Sequence, residues 1–251
     1  MTNKPCRIID VHAHYGKWFF PIYSDTPDNI FEIMNRNSID KIVLSSTQAI
    51  VYNMVAGNAE LAEILDKHSG FYGYIFLNPN YIDLSFKELE KYMGNHKKVL
   101  GLKLYSEGYI AQPLNCDGHK KFLTETQTRF PGTPVLFHCY SATAAMQLAG
   151  VAKQFPNLNF LMGHMGGAQW RSAVDCSIGI PNLYLEICSG NFDRGKLEYA
   201  VSKVGAGHIL YGSDVTLINP AQMVGMVLDA EISENDRNLI FSKNATQLFR
   251  F

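Results

Sequence analysis

The sequence predicts an α/β protein, a (β/α)8 TIM barrel. Three observations lead there. Eight short apolar, β-branched segments recur along the chain, each followed by a stretch whose apolar residues fall at helical spacing. Regular alternation of this kind builds a parallel sheet, because parallel neighbours need a crossover between them. Eight such units in 251 residues match the usual size of a closed barrel, about 250 residues. A doubly wound open sheet is the alternative fold. No Gly-x-Gly-x-x-Gly or Gly-x-x-x-x-Gly-Lys-Ser/Thr turn follows any strand, which weakens a dinucleotide or P-loop reading.

Ile8 to His14 (IIDVHAH) reads as the first strand. Residues two apart on a strand share a face, so His12 and His14 aim at one point, with Asp10 on the same face one layer deeper. Ile9, Val11 and Ala13 then face the helices. A long aromatic connection follows, Tyr15 to Pro27, with Trp18, Phe19, Phe20 and Tyr23. Long loops at a functional face often act as lids. Asp28 is the expected N-cap of the first helix, with Ile30, Ile33 and Met34 on its apolar side. The second strand is Lys41 to Thr47. A helix carrying Leu61, Ile64 and Leu65 closes near Gly70.

The third strand runs from Phe71 to Leu77 and stops at Asn78-Pro79-Asn80. Leu84 to Met93 is helical. In the fourth strand, Val99 to Tyr105, Leu100, Leu102 and Leu104 share one face and Gly101, Lys103 and Tyr105 the other. A helix around Phe122 and Leu123 leads to the fifth strand, Pro134 to Cys139. Ser141 opens an Ala-rich helix reaching about Phe155. The sixth strand is Asn159 to His164, followed by Met165-Gly166-Gly167 and a helix from about Ala168. Leu183 to Cys188 is the seventh strand, 192 to 204 a helix, and His208 to Asp214 the eighth strand. Pro220 to Phe249 supplies closing helices, so residues 1–251 read as one domain.

The composition, 47% hydrophobic and 18% charged with a net charge of −1, carries no argument for nucleic acid or an anionic membrane. No apolar run nears the roughly 20 residues that span a bilayer. The opening Met-Thr-Asn-Lys-Pro lacks a signal-peptide core, so a cytoplasmic location is expected. The expected partner is a small-molecule substrate, with a homodimer left open. Five cysteines (Cys6, Cys116, Cys139, Cys176, Cys188) form no Cys-x-x-Cys; they read as reduced, mostly buried thiols. Cys139 points away from His138 and belongs to the core.

Chemistry concentrates at strand ends: His12, His14, Lys103, His138, His164 and Asp214. The remaining histidines (His68, His96, His119, His208) read as surface residues. Two imidazoles converging at a strand end suit zinc or a similar cation. Three imidazoles and a carboxylate suit a catalytic divalent ion with one position left for water, whose pKa falls to about 7. A carboxylate on the ion can take that water's proton, and a further histidine can polarise a carbonyl.

The motifs Ile9-Asp10-Val11-His12-Ala13-His14, Gly101-Leu102-Lys103-Leu104, Phe137-His138, Gly163-His164-Met165-Gly166-Gly167 and Tyr211-Gly212-Ser213-Asp214 fall in the order and spacing of the amidohydrolase superfamily. The chain resembles its "amidohydrolase 2" branch, which includes aminocarboxymuconate-semialdehyde decarboxylase. The closing Asn244-Ala245-Thr246-Gln247-Leu248-Phe249 resembles that branch as well. The resemblance implies a metal-dependent hydrolase type of barrel in which His12, His14, His138 and Asp214 bind one divalent metal, zinc by expectation. It makes His164 the catalytic histidine and Asp214 also the general base. Asp10 would support His12 from behind. Lys103 would remain a free amine near the substrate, in preference to a carboxylated lysine bridging two metals.

Tyr105 stands where that branch often has histidine, and Val215-Thr216 replaces its aromatic-Pro. The implied reaction is attack of metal-activated water on an amide, ester or lactone of a small carboxylated substrate. The alternative is a metal-dependent, non-oxidative decarboxylase of an unsaturated or aromatic acid. Glu186, a charge within the seventh strand, is read either as a group behind a metal ligand or in contact with substrate, or as a strand-exit salt bridge. Arg171 and Arg194 would clamp a carboxylate or stay on helix surfaces. Trp170 would join an aromatic wall or pack its helix.

Overall fold

The computed structural model describes residues 7–22, 26–106 and 108–251. Cys6 and Tyr23 lie outside the described residues. Eight strands, β1 (Ile8–Tyr15), β2 (Ile39–Ser46), β3 (Phe71–Phe76), β4 (Val99–Leu104), β5 (Pro134–His138), β6 (Asn159–Gly163), β7 (Leu183–Glu186) and β8 (Ile209–Leu210), bond in chain order within one parallel sheet. Backbone bonds between its edges close it. Val11 N–H donates to Tyr211 O at 3.0 Å, Asp214 N–H donates to His12 O at 2.8 Å, and Ala13 bridges to Val215. The expected barrel is the observed one.

Crossover helices α1 (Pro27–Arg36), α2 (Met54–Lys67), α3 (Ile82–Tyr92), α4 (Asp117–Arg129), α5 (Ala142–Gln154), α6 (Trp170–Ser177) and α7 (Lys196–Val204) link the strands, and α8 (Pro220–Asp229) follows β8. A short extra helix, Thr47–Val51, precedes α2. Strand residues such as Leu44, Ile75, Leu102, Val135, Phe137 and Met162 pack outward against the helix layer. Val43, Tyr74, Leu136, Leu161 and Leu210 fill the barrel's inside. Ala245 and Phe249, from the chain's last turns, join that inner cluster and plug one end. Asn244 fixes the plug by donating to Ala206 O and Ile209 O, at the start of β8. The opposite end, where the strands finish, stays available for chemistry.

The observed parity of β1 differs from simple alternation. Asp10 pairs with Ile42 and Ala13 with Leu44, so three steps on β1 face two on β2. Such a bulge inverts the side-chain order beyond it. Ile9 and Val11 therefore enter the inner cluster instead of facing the helices, and His12 and His14 still reach the mouth. A second register shift, between Gly73/Val99 and Tyr74/Gly101, turns Leu100 toward the inner cluster while Leu102 and Leu104 face outward.

Helix α1 starts earlier than expected: Thr26 is the N-cap, its Oγ1 accepting from Asn29 N–H at 3.3 Å. Pro27, lacking a donor, suits the first helical position, and Asp28 falls in the first turn. Strand β8 is shorter than expected, because Tyr211 N–H donates to Ile240 O and the next residues bond across to β1.

Candidate active site

At the open end, β1 presents His12 and His14, β4 Lys103, β5 its last residue His138, β7 its last residue Glu186, and the turns after β6 and β8 present His164 and Asp214. All but His138 are buried, and His138 is half-buried. His164 (φ 67), Met165 (φ 46) and Asp214 (φ 58) occupy the left-handed region without being glycine. That conformation costs about 1–3 kcal/mol each and persists where surrounding structure enforces it. Here it turns two side chains back into the mouth. Gly163 lets β6 pass under His12: a Cβ there would sit 2.7 Å from Phe137 O and 3.1 Å from His12 Cε1.

Asp214 Oδ1 lies 3.2 Å from His14 Nε2 and 3.8 Å from His12 Nε2. The oxygen is buried, yet no donor is aligned with it as a hydrogen bond. His12 Nδ1 is 2.6 Å from Glu186 Oε2, on the side of the ring away from Asp214. Ligand bonds of about 2.0–2.2 Å place adjacent donor atoms about 3–3.5 Å apart. Asp214 Oδ1 has nearly that spacing from each imidazole nitrogen, which fits a divalent ion. The positive group found there is the fully buried Lys103, whose Nζ donates to His12 Nε2 at 2.9 Å.

His138 stands one step out: its Nδ1 meets His164 Nε2 at 2.9 Å. Its ring stacks on Tyr105, centroids 4.2 Å apart and 13° from parallel, with Tyr140 on the other side at 6.1 Å and 14°. The tightest ligand-type group among the described residues is His12, His164, Cys188 and Asp214, their donor atoms within 4.8 Å of one another. The structure thus brings His12, His14, His164 and Asp214 together and joins His138 through His164.

Burial dominates the electrostatics. It pushes His12, His14 and His164 below the ordinary imidazole range, with the Lys103 charge as a further cause for each. His138 falls to about 3 by burial and the charges of Lys103 and His14. Burial lowers Lys103 to about 8, against the pull of Asp214. Asp214 is opposed by burial, but the close His14 imidazole and the nearby His164 and His12 hold it down at about 2. The site therefore offers neutral imidazoles and an ionised carboxylate, the protonation states that metal binding requires.

An aromatic wall borders it. A cavity of about 340 Å³ is lined by Tyr105, Ser106, Tyr109, His138, Tyr140 and Ala144, among others. Trp18 lies edge-on to His14 at 5.2 Å and stacks on Phe20 at 5.7 Å. Tyr105 and Trp18 thus both border the site.

Several expectations need correcting. Asp10 does not back the His12 ring. Its carboxylate accepts from the backbone N–H of His12 and of Ser213 and from Ser213 Oγ, tying β1 to β8. Glu186 takes the position behind His12. Glu186 is fully buried inside the barrel mouth and pairs with the His12 imidazole rather than with a surface cation. Arg171 is exposed and lies over the rings of Trp170 and Tyr199, 4.3 and 5.0 Å from their centroids. Arg194 is exposed and pairs with Glu231 at 3.4 Å. Trp170 is buried in the helix layer, its Nε1 donating to Asp193 Oδ2 at 2.6 Å. Arg171 on α6 and Arg194 just before α7 face outward, and Trp170 packs within the helix layer, so these three serve packing and surface pairing. His119 is buried rather than on the surface, bonded through Nδ1 to Leu114 O at 2.9 Å.

Sequence reading passed over Cys188 and Tyr140. Cys188 shares the parity of Glu186 at the end of β7, which was the available signal. Tyr140 likewise lies two residues beyond His138.

A (β/α)8 barrel with buried imidazoles and an ionised aspartate at the strand ends is the frame of a metal-dependent enzyme. The chain belongs to the amidohydrolase family whose model, Amidohydro_2, matches residues 9–251. No curated protein matches by sequence. Among solved structures, 2,6-dihydroxybenzoate decarboxylase from Rhizobium is similar at 20% identity, covering 97% of this chain and 98% of its own, with a TM-score of 0.78. A dihydroxybenzoic acid decarboxylase from Polaromonas sp. JS666, with bound manganese and 2-nitroresorcinol, is 20% identical over 97% of this chain and 96% of its own, TM-score 0.78. The 5-carboxyvanillate decarboxylase from Sphingomonas paucimobilis is 14% identical over 98% and 99%, TM-score 0.76. Among the described residues, no helix is long and apolar enough to cross a membrane.

Proposed function

We propose that the protein is a metal-dependent, non-oxidative decarboxylase of a small aromatic or unsaturated carboxylic acid. The observation that carries this reading is Asp214 Oδ1 set between the Nε2 atoms of His14 and His12, beside an aromatic-walled cavity. Three similar structures are decarboxylases of aromatic acids, which favours this reading over the hydrolysis expected from sequence.

His12, His14 and Asp214 would hold one divalent ion, and His138 would complete the set. When bound, the ion supplies positive charge to substrate oxygens. Zinc suits a set made mostly of imidazoles, and manganese, found in the similar Polaromonas enzyme, is the alternative that the carboxylate admits. The Lys103 ammonium offsets the negative charge of a substrate carboxylate. Tyr105, Tyr140 and Trp18 hold a flat substrate and keep water out. The bond between the substrate carbon and its carboxylate breaks, its electron pair stays on that carbon, and carbon dioxide leaves. His164 moves a proton to the same carbon. That proton comes from water, and the hydrogen bond to His138 holds the His164 ring in place for the transfer.

Hydrolysis of a lactone or amide is the second reading, favoured by the ionised, unsatisfied Asp214 oxygen, which suits removal of a proton from water. Product analysis separates the two. Hydroxybenzoates and unsaturated acids offered to the metal-loaded protein should release carbon dioxide in step with substrate loss. Ring-opened or deacylated products without carbon dioxide would reject decarboxylation.

A further inference from the structure

Glu186 occupies a position that the reaction does not itself require. Its carboxylate is buried and collects four donors. Oε2 lies 2.6 Å from His12 Nδ1, 3.1 Å from the backbone N of His164 and 3.0 Å from Cys188 Sγ; Oε1 lies 2.6 Å from the backbone N of Cys188. One group from β7 thus grips the ring contributed by β1 and the backbone of the turn after β6. The mouth is cut to admit it: a Cβ on Gly212 would collide with Glu186 Oε1 and crowd His12 Cβ.

A neutral imidazole has one protonated and one unprotonated nitrogen, and the partner of one nitrogen decides the other. We propose that Glu186 is a positioning residue that pins the His12 proton to Nδ1, aims the Nε2 lone pair at the ion site, and couples that ligand to the placement of His164. The inference rests on the metal-site reading above. Carboxylates behind ligating imidazoles commonly do this work, and their loss weakens metal binding 10–100-fold.

The same geometry gives Cys188 a role. Its Sγ is 3.2 Å from His12 Nδ1 and 3.3 Å from His164 Nδ1. It therefore faces the side of His12 that Glu186 occupies, whereas Asp214 and Lys103 face Nε2. One ion cannot take both nitrogens of His12. With Asp214 as a ligand, Cys188 is a partner of Glu186 and not a fourth ligand. A proton on His164 Nδ1 facing the thiol would leave His164 Nε2 to accept from His138 Nδ1, and would leave His138 Nε2 with its own lone pair.

The test uses the full chain with 15N-labelled histidine, stripped of metal by chelation. In the wild type, His12 should show the Nδ1–H tautomer by ring-nitrogen shifts; the Nε2–H tautomer would overturn the proposal without any variant. In Glu186→Gln, the new amide N–H donates to Nδ1, so the tautomer should switch and Mn2+ affinity should fall about 10–100-fold. Gly212→Ala, whose new methyl would collide with Glu186 Oε1 and crowd His12 Cβ, should weaken Mn2+ in the same direction. Unchanged affinity in a folded Glu186→Gln protein would overturn the coupling. A cobalt-loaded protein with a thiolate charge-transfer band would make Cys188 a ligand and reject its assigned role. If the wild type binds no divalent ion, the functional reading fails, while the tautomer measurement still judges Glu186.

Discussion

His14, Asp214, His138 and His164 lie close together, yet their replacements should separate cleanly. Asp214 Oδ1 is the atom shared between two imidazole nitrogens. Asp214→Asn or His14→Ala should therefore cut bound metal well below one per chain by elemental analysis. His138→Ala should do the same if its Nε2 completes the set; unchanged metal would remove it from the ligands. His164→Ala should abolish turnover and leave metal content intact, and loss of metal would move His164 into the ligand set. The histidine pair was legible in sequence because His12 and His14 share a parity on one strand. Glu186 was legible as a strand charge that could stand behind a ligand or touch substrate, but its partner was not. Its partner nitrogen is 174 residues away in the chain, and no local pattern encodes that meeting. Arg171, Arg194 and Trp170 misled because nearness in sequence to a strand end does not fix which way a helix turns.

Strands and turns carry the site, and their details decide its shape. The β1 bulge is an instance in which alternation, read literally, sends Asp10 to the wrong face. A bulge arises from pairing with the neighbouring strand, so a single segment does not display it. Strand and helix order was legible throughout, since each apolar segment announced itself. Boundaries moved where capping or cross-barrel bonds competed, as at Thr26 and β8. Gly163→Ala tests the tightness of the β6 passage. A new methyl 2.7 Å from Phe137 O and 3.1 Å from His12 Cε1 should cost about 1–3 kcal/mol in denaturant unfolding. It should also displace His12 and weaken metal binding. Wild-type stability and affinity in that variant would contradict the packing described for β6.

Over the whole molecule, buried neutral histidines make stability depend on pH. Burial holds His119 down at about 4, against its hydrogen bonds to the Leu114 and Pro113 backbone. The unfolded chain takes up a proton near pH 6.5, whereas the folded chain does not until about pH 4. Stability from this group is therefore full above pH 6.5 and is lost as pH falls toward 4, about 2 kcal/mol by pH 5. His119→Asn keeps a donor for Leu114 O, so it should lose several degrees less of Tm than the wild type between pH 7 and pH 5. Equal losses would show that His119 already takes its proton in the folded state. At the other end of the barrel, Phe249→Ala should remove the plug and cost about 3–5 kcal/mol while leaving the metal site occupied.

All of this depends on one ion held where β1 and the turn after β8 meet. Titrating metal-stripped protein with Mn2+ and counting the bound ion measures that directly. The account predicts one equivalent per chain in the wild type and a loss of that equivalent in Asp214→Asn. A folded wild-type protein that takes up no divalent ion, or one that Asp214→Asn binds equally well, would contradict it.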